Sequence, residues 1–274
     1  MKSVCVFVHY SHAAQLPYPE EAYIKELGSY FSEIILVTNQ REFNLGNLPS
    51  SVSVKMVQNE GYDFGMFYKV AQELDWGSLD RLALANDSNL LVQSLSALFN
   101  KGERLGTPFW GAIDSYERPW FSTHEENQHL QSHFLVWEKP AFFLLEQYLT
   151  QIRIQDFYDE KKIKTLRRKV INEWEIGVSQ YFKKNGIMLG AAFGCEQIDV
   201  CNSNKAKPKA NKTFKNPEEL LQAGYPFLKK KYVEKQGFLS RILFPNNKWE
   251  NLLRLYNFDS EHAERLILSI KKTK

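Results

Sequence analysis

Long apolar runs, abundant cysteine and a strong net charge are all missing from this 274-residue sequence. No stretch approaches the roughly 18 consecutive apolar residues that a membrane-spanning helix needs. The three cysteines make an odd count without a C-x-x-C pair, which argues against a disulfide framework and against a zinc site. A net charge of +3 is too small to indicate nucleic-acid binding. These absences favour a protein of the reducing cytoplasm that has no nucleic-acid partner.

Apolar and aromatic residues are plentiful, at 43% and 14% of the chain, which is enough for a large core. Short apolar runs that end in polar residues alternate with segments of helical periodicity, an order typical of an α/β layer with a mainly parallel sheet. The pattern predicts strands at residues 4–8, 33–39, 52–58, 81–85, 109–113 and 133–137. It predicts helices at residues 19–31, 64–74, 140–152 and 168–184. Cys5 is expected to be a small core residue, and Cys195 and Cys201 are interpreted as structural.

The character of the chain changes after about residue 197. Residues 205–235 carry nine lysines against three acids, and Pro208 and Pro217 interrupt them. Residues 248–270 have amphipathic periodicity. We therefore predict an α/β domain over residues 1–200 and a small, basic and partly helical appendage over residues 201–274, packed on that domain.

Polar clusters follow two of the predicted strands, one after Gln58 and one after Ala85. In an open α/β sheet, ligands sit in the crevice beyond the carboxyl ends of the strands. The two clusters therefore predict one binding crevice built by neighbouring strands.

Several ordered blocks identify a family resemblance. They are N-E-G-Y-D-F-G-M-F-Y-K (59–69), L-A-N-D-S-N (84–89), F-W-G-A-I-D-S (109–115), H-L-Q-S-H-F-L-V-W (129–137), W-E-I-G-V-S (174–179) and N-P-E-E-L-L-Q-A-G-Y-P-F-L-K (216–229). The chain resembles the rhamnan-synthesis F family of bacterial polysaccharide-assembly glycosyltransferases. The resemblance implies a nucleotide-sugar-binding fold of the GT-A type. It also implies transfer of a sugar, such as rhamnose, from a nucleotide-diphosphate donor to a growing surface polysaccharide or lipopolysaccharide O-chain.

The turn and helix of residues 59–69 are the predicted donor site. Gly61 and Gly65 let the backbone approach a ligand, and a helix that begins near Phe64 would direct its N–H groups at the donor diphosphate. Lys69 would add a positive charge, whereas Asp63 would bind ribose hydroxyls or serve only as the helix N-cap. The complete set of donor-binding residues is expected to be His9, Asn59, Gly61, Asp63, Gly65, Lys69, Asn86, Asp87 and Ser88.

Asp87 is also the candidate metal ligand. Transferases of the implied fold hold a divalent cation on the donor phosphates at this point, and one carboxylate can suffice for Mg²⁺. Mg²⁺ or Mn²⁺ would therefore be the cofactor. Asp87 stands without a D-x-D partner, so direct bonding to a sugar hydroxyl or an ordinary Asn-Asp-Ser turn remain alternatives.

Glu175 is the predicted catalytic base, together with Asp87 in the catalytic set. It lies on or beside the apolar stripe of the helix over residues 168–184, where an acid needs a partner or a function. The resemblance implies that this carboxylate takes the proton of the attacking acceptor hydroxyl in an inverting transfer. The alternative is an ion pair with Arg167, Arg168 or another cation.

His129, Gln131 and Ser132 are expected to bind the acceptor from one strand, with Trp110 or Trp120 stacked on a sugar ring. The alternative is that the tryptophans belong to the core. The acceptor would be an oligosaccharide or a lipid-linked glycan, and the lysine-rich segment would contact an anionic membrane surface or form a solvated loop. An alternative function from another class is a non-catalytic glycan-binding or assembly subunit of a polysaccharide-synthesis complex.

Overall fold

The chain folds into eleven strands and twelve α-helices within the residues that the structure, a computed structural model, describes: 1–12, 15–40, 48–194, 211–235 and 248–272. The strands are Ser3–His9 (β1), Glu33–Thr38 (β2), Val52–Met56 (β3), Arg81–Asn86 (β4), Asn89–Leu91 (β5), Phe109–Gly111 (β6), Asp114–Ser115 (β7), His129–Leu130 (β8), Phe134–Glu138 (β9), Gly190–Ala191 (β10) and Phe227–Lys229 (β11). The helices are Tyr18–Leu27 (α1), Tyr62–Ala71 (α2), Ser96–Glu103 (α3), Phe142–Gln151 (α4), Gln155–Tyr158 (α5), Ile163–Lys169 (α6), Gly177–Lys184 (α7), Lys212–Lys215 (α8), Pro217–Gln222 (α9), Lys230–Lys235 (α10), Lys248–Tyr256 (α11) and Ser260–Lys272 (α12). Cys195, Cys201 and the lysines of residues 205–210 lie outside the described residues.

The central sheet has seven strands in the order β10-β6-β9-β4-β1-β2-β3. Its neighbours pair in parallel except β9, which runs antiparallel to both β4 and β6. The predicted α/β class with a mainly parallel sheet is therefore confirmed.

The alternation of side chains along β1 explains why the sheet is covered on both faces. Val4, Val6 and Val8 pack with α2 and α4 on one face, whereas Cys5 and Phe7 pack with α1 and α3 on the other. All five side chains are buried, as expected of a central parallel strand covered by helices on both sides. Cys5 is fully buried, and burial raises the pKa of its thiol.

The described residues after 211 contact the sheet through a two-stranded ribbon. β11 pairs antiparallel with β5, which follows β4 directly, and Lys229 lies opposite Asn89. A separate apolar cluster then packs α11 and α12 against this ribbon through Trp249, Leu253 and Leu266. The division of the chain at residue 200 stays a prediction. Among the described helices, none has both the length and the apolar character that crossing a bilayer requires.

Two of the differences from the sequence-based prediction affect the crevice. The helix expected over residues 168–184 contains a seven-residue π-helical segment, Val170–Ile176, between α6 and α7. The strand expected to carry residues 129–133 ends at Leu130, and the chain turns at Ser132 and His133 before β9 begins. Side-chain periodicity cannot reveal either change, because both depend on which backbone groups bond to each other.

Gly65 is required by the packing of the α2 backbone. An added Cβ would overlap the backbone carbonyl of Glu60, which cannot turn aside as a flexible side chain would. We expect Gly65→Ala to lower the free energy of unfolding by about 1–3 kcal/mol, the usual cost of overpacking. Urea denaturation measures this loss. Gly77→Ala is the control, because its nearest neighbour would be Asp75 Oδ1 at 3.6 Å, and a similar loss in both variants would contradict the packing explanation.

Candidate functional site

A crevice of about 860 Å³ lies at the carboxyl ends of β1 and β4. Residues 58–63, after β3 and into α2, line one side of it, and Asn86, Asp87 and Ser88 line the base. The turn before β9 and the π-helical segment complete the walls. The fold thereby brings the two polar clusters of the sequence into one crevice.

The Asn-Asp-Ser motif after β4 is held by a connected set of hydrogen bonds. The Asn86 amide donates to Asp63 Oδ2 at 2.6 Å, and its oxygen accepts from Ser88 Oγ at 2.6 Å. Asp87 Oδ2 accepts from His9 Nδ1 at 2.7 Å. His9 ends β1 and is only 2% exposed, so it contacts the motif from its buried side. Asp87 is the residue of this pair that lines the crevice.

The turn that opens α2 has two consecutive residues in the left-handed region, Gly61 with φ 72° and Tyr62 with φ 57°. Glycine adopts this conformation without strain, but a bulky residue does so at a cost, and such strain concentrates at functional sites. Both residues line the crevice, and the Tyr62 hydroxyl donates to the Ile163 carbonyl at 3.2 Å. The sequence offers no signal for Tyr62, because its residue type is unusual for this backbone conformation.

Asp63 is the carboxylate of the crevice with a pKa near neutrality. Burial raises its pKa to about 6, against the lowering effect of the hydrogen bond from Asn86, and the charges of Glu175 and Asp87 add to the rise. Its Oδ1 accepts the Phe64 backbone N–H at 3.0 Å, so the N-terminus of α2 already faces a carboxylate. A donor phosphate at this helix end would have Asp63 beside it.

The π-helical segment presents Glu175 to the crevice. A π-helix shifts the backbone hydrogen bonds by one residue, and such segments are frequent at functional sites. Side chains bond two of its carbonyls: the Tyr148 hydroxyl donates to Glu173, and His124 Nε2 lies 2.9 Å from the Asn172 oxygen. Surrounding side chains therefore support the irregular backbone that carries Glu175.

Glu175 is an ionised carboxylate with several donors. Burial opposes ionisation, but hydrogen bonds from His129 and Ser132 and the positive charges of His129 and Lys229 prevail and lower its pKa to about 2. Ser132 Oγ donates at 2.6 Å, and His129 Nε2 lies 3.5 Å from Oε1. The ion-pair partner is thus His129, so the cation is neither Arg167 nor Arg168 but the other cation that the sequence-based alternative left open.

His129 is the cation of this pair. Burial lowers its pKa, but the hydrogen bond and charge of Glu175, with the Asn127 carbonyl, outweigh burial and raise it. Its Nδ1 lies 2.6 Å from that carbonyl, so both ring nitrogens face acceptors. His133 differs, because burial lowers its pKa to about 3, and its Nε2 is 2.7 Å from the Tyr225 hydroxyl.

The residues expected to bind the acceptor lie in two places. His129, Gln131 and Ser132 line the crevice together. Trp110 does not, since it is 1% exposed and packs against Phe99 and Phe134 in the core. The assignment of Trp110 to the acceptor site is therefore wrong, because its position in β6, an interior strand of the sheet, directs the ring into the core. Trp120 is 79% exposed, next to the crevice-lining Pro119.

Two residues of the expected donor set are engaged elsewhere. Lys69 forms an ion pair with Glu60 at 2.6 Å and also donates to the Gln58 carbonyl, so its charge is neutralised within the turn. Gly65 packs against the Glu60 carbonyl. Neither residue is among those that line the crevice.

Lys229 is the crevice residue that the sequence analysis missed. The pairing of β11 with β5 places it opposite Asn89, directly after the Asn86–Ser88 motif, and its Nζ donates to Gln131 Oε1 at 3.1 Å. Burial lowers its pKa, and the charge of Glu175 partly opposes this. The usable signal is the sequence block over residues 216–229, which ends on this lysine.

Acidic side chains outnumber basic ones on the crevice wall. The described lining residues include six carboxylates and three permanent cations, namely Glu60, Asp63, Asp87, Glu117, Glu160 and Glu175 against Lys161, Arg167 and Lys229. Two of these carboxylates, Glu60 and Glu175, are paired with Lys69 and His129, so the charges of the crevice are closer to balance than the residue types alone indicate.

A family model described as Rhamnan synthesis protein F matches residues 38–251 of the chain. The match includes the crevice residues from Gln58 to Lys229. No curated protein matches the chain.

One solved structure with a similar arrangement is described as a glucose-1-phosphate thymidylyltransferase from Bacillus anthracis in complex with a sucrose. The two chains share 9% sequence identity with a TM-score of 0.40, over 75% of this chain and 98% of the other. A likeness of this degree carries no inference about ligands or reaction.

The raised pKa of Asp63 predicts a specific dependence of stability on pH. A carboxyl whose folded pKa lies above its unfolded value stabilises the fold fully below the unfolded pKa, near 4, and loses that contribution as the pH rises through about 6. The unfolding free energy of wild type, relative to Asp63→Asn, should therefore fall by on the order of 2–3 kcal/mol between pH 4 and pH 7. Urea denaturation of both proteins tests this, and a difference that stays constant across that range would contradict it.

Proposed function

The chain belongs to the rhamnan synthesis protein F family, and we propose that it is a glycosyltransferase of cell-surface polysaccharide synthesis. The donor would be a nucleotide-diphosphate sugar, with rhamnose the sugar that the family description favours. The acceptor would be a growing oligosaccharide or lipid-linked glycan, met at an anionic membrane surface. The α/β architecture and its crevice at the strand ends are compatible with a GT-A type of donor site.

One observation carries this proposal: the strand-end motif Asn86–Ser88 and the ionised Glu175 line the same crevice. The motif offers amide, carboxylate and hydroxyl groups that can bond the hydroxyls of a sugar or a ribose. Glu175 offers an oxygen that can accept a proton. A donor and an acceptor held between them would satisfy the two requirements of a group transfer.

The proposed reaction is an inverting displacement. An acceptor hydroxyl attacks the anomeric carbon of the donor, the bond from that carbon to the diphosphate oxygen breaks, and the nucleotide diphosphate leaves with the electron pair. Glu175 takes the hydroxyl proton. Ser132 bonds the resting carboxylate at 2.6 Å, so an acceptor hydroxyl that replaces this donor would point its own proton at Glu175.

The acceptor side would extend from Ser132 and Gln131 toward Trp120. The Arg168 guanidinium lies 4.6 Å from the centre of the Trp120 ring, while the indole remains 79% exposed. An indole held in this way can stack on the apolar face of a sugar. We place Trp120 in the role that Trp110 cannot fill.

The donor side would depend on Lys229. This lysine lies between the strand-end motif and the Gln131 side chain, in a wall with an excess of acids. The negative charge that develops on the leaving diphosphate needs a positive partner. Lys229 takes the part that the sequence suggested for Lys69.

Replacement of Glu175 tests the proposed base. We expect Glu175→Gln to reduce kcat by about 10²–10⁴-fold, because the amide cannot accept the acceptor proton, while the Kd for the nucleotide sugar stays unchanged. Donor turnover is measured as release of nucleotide diphosphate with an oligosaccharide acceptor, and donor affinity by isothermal titration.

Glu173→Gln is the matched control, since Glu173 is in the same π-helical segment but bonds Lys169 outside the crevice. Normal turnover by Glu175→Gln would exclude Glu175 as the base. Glycan binding by wild type without any release of nucleotide diphosphate would instead indicate a non-catalytic binding subunit.

Removal of the Lys229 charge tests the donor side. We expect Lys229→Met to weaken nucleoside-diphosphate binding by about tenfold or more, the usual size of a charge-assisted contact. The control is Lys231→Met, which removes the same charge from an exposed position two residues after Lys229. This variant should bind the nucleoside diphosphate as wild type does. Titration with a panel of nucleoside diphosphates gives the affinities. Equal affinities for the two variants would place the diphosphate away from Lys229.

A further inference from the structure

Three potential metal ligands meet beside the crevice. His9 ends β1, Glu20 is in the first turn of α1, and Asp87 follows β4. One ligand atom from each lies within 4.8 Å of the other two. Three separate elements thus contribute an imidazole and two carboxylates to one small volume.

The Glu20 carboxylate has unused bonding capacity in this cluster. Glu20 is only 4% exposed, and Lys230 forms an ion pair with its Oε1. Within the described part of the chain, its other oxygen, Oε2, has no hydrogen-bond partner. A buried carboxylate oxygen that lacks a partner is destabilising, and a bound cation would remove this penalty.

The charge of the crevice gives an independent reason for a cation. The wall has six carboxylates against three permanent cations, and Asp87 belongs both to this wall and to the ligand cluster. Glu60 and Glu175 are paired with Lys69 and His129, but the other four acids still outnumber the three cations, so the wall has no surplus of positive charge for a nucleotide diphosphate. A divalent ion on Asp87 would supply positive charge at the place where the donor is expected.

We propose that His9, Glu20 and Asp87 form a divalent-cation site with a preference for Mn²⁺ over Mg²⁺. Carboxylates bind both ions, but Mg²⁺ prefers oxygen ligands throughout, whereas an imidazole shifts the preference toward a transition metal. Ligands about 2.1 Å from an ion lie at most about 4.2 Å apart, so small side-chain rotations close the site. The role of the ion toward the donor rests on the proposed function, but the binding of the ion does not.

Lys230 allows a test in which a substitution strengthens Mn²⁺ binding instead of weakening it. Its ammonium already neutralises Glu20 and would compete with an incoming cation for the same carboxylate. Removal of Lys230 should therefore tighten Mn²⁺ binding, whereas an ion pair with a purely structural role would only lose stability when Lys230 is removed. This gain of affinity does not depend on a variant that loses a ligand.

Electron paramagnetic resonance of free Mn²⁺, titrated with the full-length protein, measures the affinity without any assay of turnover. We expect Glu20→Gln to weaken binding at least tenfold and Lys230→Met to strengthen it several-fold. Glu21→Gln is the control, because Glu21 is the next residue of α1 and pairs with Lys25 at the surface. Thermal unfolding in a chelator shows whether each variant is folded.

Two results would overturn the site: wild type that does not bind Mn²⁺ at millimolar concentration, or folded Glu20→Gln and Lys230→Met variants that both bind as wild type does.

A second titration, with a nucleoside diphosphate in the presence and absence of Mn²⁺, separates the site from the function. Mn²⁺ that binds without changing nucleotide affinity would support the metal site and refute its role at the donor. Nucleotide binding by a protein that does not bind Mn²⁺ would retain the donor crevice and eliminate the metal.

Discussion

The parallel pairing of β1 with β4 is the constraint on which the crevice depends. Its register places Val8 opposite Asn86, so the two strands end at the same edge of the sheet. His9 and Asp87 then lie within hydrogen-bond distance, although 78 residues separate them in the chain. A slip of one residue would turn every side chain of β1 to the other face and would break this contact. The buried alternation of β1 therefore holds the site as well as the core.

Sequence reasoning predicts those parts of this fold that depend on local patterns. Apolar runs such as residues 4–8 and 81–85 identify the central strands, because a strand buried on both faces needs little else. The polar residues after them identify Asn86 and Asp87. Lys229 escapes such reasoning, because its place depends on its pairing with Asn89 of β5 across 140 residues of sequence. Trp110 is misassigned for a related reason: composition cannot tell a core tryptophan from one that binds sugar.

Two carboxylates of the crevice, Glu175 and Asp63, show how the environment gives two acids different pKa values. Glu175 has three donor groups around it and stays ionised far below neutral pH, with a pKa of about 2. Asp63 has fewer compensating contacts than its burial demands, and two other acids face it, so its pKa is about 6. Neither pKa can be predicted from the local sequence, because both acids have the same kind of neighbour: each precedes an apolar residue in a helical segment. Such divergence between neighbouring acids is common where a protein handles protons, although ion-pair networks in stable cores produce it as well.

The ribbon of β5 and β11 affects the order in which the parts of the crevice come together during synthesis. Synthesis proceeds from the N-terminus, and folding can begin before the last residues leave the ribosome. Once residue 191 has emerged, every strand of the seven-stranded sheet is available, but β11 is not. A nascent chain of that length would have the strand-end motif and Glu175 without Lys229, and it would leave the hydrogen-bonding edge of β5 unpaired. The crevice is thus completed late in translation, and until then an exposed strand edge must be protected from pairing with other chains.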